Sequence, residues 1–122
     1  VNVFVGESLW SELGPEGARG CCSSMVYWNP ELTLDFWKQV DAENWDEVGR
    51  IHKQVGPLFE FLDEEYTPRG FTDTAYDRMG GLASGFLVTS LKNRKPYISP
   101  TEEDVAMLRQ WYQQHLPGMI VR

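Results

Sequence analysis
Cys21 and Cys22 stand side by side and are the only cysteines among 122 residues. A vicinal pair invites a redox couple or a metal site. Neighbours on a strand point to opposite faces, and no Cys-x-x-Cys spacing or nearby histidine completes a ligand set, so the pair reads as small packed hydrophobes. His52 and His115 both fall within helical patterns and read as solvated or packed imidazoles rather than bases. Asp63-Glu64-Glu65 offers paired carboxylates for acid–base work, yet it follows a helix end and reads as a solvated turn. Gly80-Gly81-Leu82-Ala83-Ser84-Gly85 lacks the Lys-Ser/Thr ending of a phosphate loop and lies within a helical pattern, which points to close helix packing. Trp10, Trp28, Trp37, Trp45 and Trp111 share no single helical stripe and read as core and interface anchors. None of these groups asks for a metal or a cofactor.

The elements that must position them are of two kinds. Val1-Asn2-Val3-Phe4-Val5 is short, β-branched and closed by Gly6, the pattern of a strand, and Ala18 to about Val26, rich in small residues, is a second strand candidate. Between them Glu7-Ser8 opens a short helix carrying Leu9, Trp10 and Leu13, ended by Gly14-Pro15. A strand–helix–strand unit of this length predicts two parallel strands.

The remainder predicts helices. Asn29-Pro30-Glu31 is a cap followed by proline in the first turn, with Leu32, Phe36 and Val40 as the apolar stripe. Asn44 with Glu47 starts the next helix, whose Val48, Ile51, Val55, Leu58, Phe59 and Leu62 keep helical spacing across Pro57. After a turn over Asp63 to Gly70, Thr72-Asp73 opens a helix with Ala75, Met79, Leu82 and Phe86 on one face. Ser99-Pro100-Thr101-Glu102 opens the last, with Val105, Leu108, Tyr112 and Leu116 inward and Pro117-Gly118 as the stop.

Composition bounds the function. With 42% apolar and 24% charged residues the chain should form one core, and 11 − 18 = −7 of net charge argues against nucleic acid and anionic membranes as partners. No apolar stretch approaches the roughly 20 residues that span a bilayer. Cysteine usage fits a reducing cytoplasm. Two apolar parallel strands without further partners cannot make a self-sufficient sheet, so the chain is expected to be a piece of something longer or trimmed at its start.

Three stretches carry a likeness to a known family. Val3-Phe4-Val5-Gly6-Glu7-Ser8 resembles the seventh barrel strand of the dihydrodipicolinate synthase / N-acetylneuraminate lyase family. Gly17-Ala18-Arg19-Gly20-Cys21-Cys22-Ser23-Ser24, running on to Asn29-Pro30-Glu31-Leu32, resembles its eighth strand and eighth helix. Asp46 to Leu62 and Arg94-Lys95-Pro96-Tyr97 are similar to the following helix and to the turn before the last one. Tyr27 departs from the pattern, where many members have Asn.

The resemblance implies an α/β fold, the C-terminal part of a (β/α)₈ TIM barrel with its last two parallel strands and capping helices, a barrel that needs about 250 residues in full. Residues 1–62 would be the last two strand–helix units and the following helix, and 63–122 a C-terminal helical extension. It implies a Schiff-base lyase, aldolase or dehydratase, acting on pyruvate-type 2-keto acids or keto-deoxy sugar acids without a further cofactor or metal. The lysine, the proton-relaying tyrosine and the carboxylate-binding loop of the family would all lie before Val1, so no catalytic residue is assigned and the chain alone should be inactive. Pocket-wall positions do carry over: Gly6, Glu7 and Ser8 after the first strand, Cys22 and Ser23 at the second. The implied partners are the 2-keto acid, the N-terminal portion of the barrel and further copies in a homo-oligomer. A truncated, non-catalytic homologue serving as a binding or assembly module is the alternative.

Overall fold
A computed structural model describes residues 1–121. In chain order it contains β1 (Phe4–Val5), a 3₁₀ turn over Glu7–Leu9, α1 (Trp10–Leu13), β2 (Gly20–Cys21), α2 (Met25–Trp28), α3 (Pro30–Asp41), α4 (Trp45–Glu65), a 3₁₀ turn over Thr67–Arg69, α5 (Asp73–Ser84), α6 (Glu102–His115) and a last 3₁₀ turn over Pro117–Met119. The two strands pair in parallel, Phe4 opposite Gly20 and Val5 opposite Cys21.

This corrects the expected fold class. Helices take 63% of the described residues and the sheet is two strands of two residues each, so the chain is a mostly helical fold and not the C-terminal part of a TIM barrel. The physical reasons are local. Ser24 has helical backbone angles, φ −73° and ψ −29°, and from there the chain coils into α2, which buries Met25 and Trp28 at i, i+3 on one face. Extended backbone running on through Trp28 would have pointed those two side chains to opposite faces. At the other strand Val1 and Val3 lie outside the ladder, and Val3 and Phe4 keep 51% and 62% of their surface in solvent.

The helices follow the apolar periodicity closely. Asn29 caps α3, its side-chain oxygen accepting the Leu32 N–H at 3.1 Å, and Pro30 takes the position where a missing N–H costs nothing. α3 turns Thr33, Phe36 and Val40 inward, and α4 turns Val48, Val55, Leu58 and Leu62 inward, continuing through Pro57. Asp63, Glu64 and Glu65, expected in a turn, are the last residues of α4, and the chain leaves helix only at Tyr66. α5 stops at Gly85, whose φ of 87° is the left-handed conformation that glycine adopts without strain, which leaves Phe86 beyond the helix.

Two devices tie the last helix to the rest. Thr101 and Asp104 form a reciprocal capping box at the start of α6. Asp104 also receives both arms of Arg69, at 2.7 and 3.1 Å, while the guanidinium lies 5.2 Å above the Tyr66 ring and 4.8 Å above Phe71. Tyr66, fully buried, donates toward the Asp104 carbonyl at 3.4 Å. A single carboxylate thus caps α6 and anchors the segment between α4 and α5. The core behind it is Met25, Trp28, Phe36, Val48, Val55, Leu58, Met79, Leu108 and Tyr112.

Candidate functional site
Parallel pairing sends the turns after β1 and β2 out at the same end of the sheet, where they meet the last turns of α4 and the first of α5. A cleft of about 530 Å³ opens there, walled by Glu7 and Ser8 from the first turn, Cys22 and Ser24 from the second, Glu60 and Asp63 from α4, and Asp73 and Tyr76 from α5, with Trp28, Phe59, Leu62 and Thr67 completing it. The size suits a small organic ligand.

Of the five residues expected at a substrate wall, three meet in this cleft: Glu7, Ser8 and Cys22. Gly6 is not among its walls; it precedes the 3₁₀ turn in extended conformation, and a Cβ there would meet only Ser8 Oγ, at 3.8 Å. Ser23 turns to the opposite side, into a groove of about 270 Å³ shared with Trp10, Val26, Leu34 and Trp37, where its hydroxyl is buried without a partner. Ser24, one residue on, takes the place expected for Ser23. The reason is the early start of α2, which rotates each side chain by the helical angle instead of alternating it.

Glu60, Asp63, Asp73 and Tyr76 are wall residues that the sequence did not mark. Asp63 was visible only as part of an acidic turn. Its spacing from Glu60, one helical turn, was the available signal, but nothing in the pattern tells which helix face a cleft will use.

The cleft is strongly electronegative. Among the described residues four carboxylates wall it, Glu7, Glu60, Asp63 and Asp73, and no Lys, Arg or His does. Glu7 is 5% exposed; one oxygen accepts the Met25 N–H at 3.1 Å and the other faces the Cys21 thiol, Sγ at 3.7 Å. Burial, and then the neighbouring Glu7 charge, push the Cys21 thiol up to about 12, so it stays protonated across the physiological range. Behind the cleft Asp77 is also shifted upward, by burial first and by the Asp73 and Glu7 charges, partly relieved by a hydrogen bond with Ser24. One Asp77 oxygen is buried without a partner.

Such walls accept hydrogen bonds from hydroxyl or ammonium groups and repel a second anion. Among the described residues no group of three or more His, Cys, Asp and Glu is arranged to hold a metal ion. No helix among the described residues is long and apolar enough to cross a membrane. No protein-family model, curated protein or solved structure matches the chain.

Asp77 supplies a direct check on the electrostatics. Its folded-state pKa lies above the ordinary 3.8, so ionisation penalises the folded form once the pH exceeds the folded value, and the penalty vanishes at pH values below the unfolded one. Asp77→Asn is expected to raise Tm at neutral pH, with the gain shrinking as the solution is acidified. Thermal melts over a pH series measure it, and equal Tm values for the two proteins at every pH would contradict the placement.

Proposed function
We propose that this chain supplies one wall of the substrate site of a Schiff-base lyase acting on pyruvate-type 2-keto acids or keto-deoxy sugar acids, with the reactive amine contributed from outside these residues. The observation that carries the reading is the parallel register of β1 and β2, which brings Glu7, Ser8, Cys22 and Ser24 to one cleft at the strand ends. The resemblance of the two strand-and-turn stretches to the dihydrodipicolinate synthase / N-acetylneuraminate lyase family supplies the chemistry.

In that chemistry an unprotonated amine attacks the keto carbon, water leaves, and the resulting iminium withdraws electrons as a C–C or C–O bond breaks. A lysine near its reference pKa of about 10.4 is protonated at neutral pH and cannot attack. Lys38, Lys53, Lys92 and Lys95 are all exposed, and none walls the cleft. Lys38 is held by Asp35 at 2.7 Å on the surface of α3. The cleft's own part is to accept hydrogen bonds from substrate hydroxyls through Ser8, Ser24, Glu60, Asp63 and Asp73. The substrate carboxylate, which the acidic walls repel, would be held by cationic groups contributed from outside these residues together with the amine.

Borohydride trapping tests the proposal. Pyruvate with the isolated chain should leave no reduced adduct, whereas material isolated with its natural flanking sequence or partner chains should gain one on a single lysine. An adduct on one lysine of this chain alone would overturn the placement of the amine. Absence of an adduct in both preparations would overturn the lyase and favour the second reading, a binding or assembly module, to which the exposed Val3 and Phe4 beside the unpaired strand edges lend support.

A further inference from the structure
We infer that Glu7 is the positioning residue of this cleft, a buried strut that sets the second strand-end turn against the first, and not a ligand-contacting group as its place after β1 suggests. The inference rests on the reading that the two turns wall a ligand site. Three observations carry it: burial, reach and the partners chosen.

Glu7 is among the few buried charged residues of the chain, at 5% exposure. A carboxylate taken out of water needs donors on its oxygens, because an unsatisfied buried charge costs far more than a hydrogen bond returns. Here both donors come from across the sheet, 14 and 18 residues away in sequence: the thiol of Cys21 at the end of β2 and the N–H of Met25 at the start of α2. Cys21 is the register partner of Val5, so the side chain crosses from one strand end to the other immediately beyond the last ladder pair. Met25 N–H is the first helical amide of α2 and has no intrahelical acceptor of its own.

The strut replaces what the sheet lacks. A two-residue ladder is marginal by itself, and beyond the Val5–Cys21 pair the sheet adds only the Cys22 N–H bond to the Val5 carbonyl, at 3.1 Å. With both oxygens engaged, Glu7 has little capacity left for a ligand, while Ser8, Cys22 and Ser24, which the strut places, keep theirs. The arrangement also makes the vicinal thiols unequal. Cys21 is spent as a donor to the carboxylate and is only partly exposed, whereas Cys22 is exposed in the cleft.

The test uses thiol chemistry and amide exchange, with no keto acid present, so it can fail while the lyase reading stands and can succeed if that reading falls. In a Cys22→Ser background Cys21 is the sole thiol, and its alkylation by iodoacetamide at mildly alkaline pH reports its thiolate fraction. Glu7→Gln keeps an oxygen for the Met25 N–H and removes the negative charge. It is expected to speed that alkylation roughly three- to tenfold and to shift its pH profile downward, with the melting temperature little changed. Glu7→Ala removes both bonds and should also quicken exchange of the Met25 amide by roughly tenfold or more, which Glu7→Gln should not. An unchanged alkylation rate and pH profile in Glu7→Gln overturns the strut, and that result decides the matter alone if Glu7→Ala does not fold.

Discussion
Gly81→Ala should destabilise the protein by about 2 kcal/mol or more, and Gly80→Ala by a similar amount, although alanine is the better helix former by about 1 kcal/mol. α5 passes α2 closely enough that there is no room for a methyl group. A Cβ at Gly81 would stand 2.7 Å from the Tyr27 carbonyl oxygen, which is backbone and cannot swing aside, and would also overlap Leu87. At Gly80 it would run into the Trp28 indole, a ring buried to 1% exposure and held by its N–H bond to the Tyr76 carbonyl at 3.0 Å. Relief requires the two helices to separate, and Trp28 is also a wall of the cleft. Gly49 and Gly56 in α4 are the control, because a Cβ at either meets nothing within 4 Å. Alanine there should stabilise by up to about 1 kcal/mol. Urea midpoints of the four variants measure the contrast, and equal effects in α4 and α5 would refute the close approach.

Asp104→Ala should be comparably severe, costing about 2 kcal/mol, since it removes the cap of α6 and the acceptor of Arg69 together, while the Arg69 side chain, 41% exposed, returns its charge to water. The Asp104 side chain is 4% exposed and its carboxylate serves Arg69, the Thr101 N–H and the Thr101 hydroxyl. Burial pushes its pKa upward, but the bonds from Arg69 and Thr101 outweigh that and hold it below the ordinary 3.8. A depressed folded-state value contributes stability that is present above the unfolded pKa and is lost as the pH falls through the folded one. Acid titration of the wild type should therefore loosen α6, followed by the near-ultraviolet signal of Trp111 and Tyr112. Asp104→Ala should show that loosening already at neutral pH. A variant with wild-type urea midpoint and acid profile would sink the assignment of Asp104 as the anchor.

The sequence by itself determined the helices, because their signals are local. Asn29-Pro30 and the apolar stripes of α3, α4 and α6 each involve residues within one or two turns, and each sits where cap chemistry and the 3.6-residue period place it, whereas Gly85 ends α5 short of the Phe86 expected on its face. The use of Gly80-Gly81 for close packing was legible in the same way, from small residues recurring inside a helical pattern. Strand length was not. Val1 to Val5 and Ala18 to Val26 have the composition of strands, but a strand persists only where a neighbour satisfies its backbone, and the backbone bonds between the two segments end with Arg19 N–H to the Val3 carbonyl and Cys22 N–H to the Val5 carbonyl.

Tertiary structure alone decided the cleft. Glu7, Ser8 and Cys22 were candidates through the resemblance of their stretches to barrel strands, yet whether a side chain enters a cleft depends on where extended backbone turns helical. That point fell at Ser24, exchanging it for Ser23. Glu60, Asp63, Asp73 and Tyr76 belong to two helices whose surfaces are acidic on several sides, and only the packing of α4 and α5 around the strand ends chose the side that faces inward. Periodicity states which residues share a face; the distances between faces come from long-range packing, which no local pattern encodes.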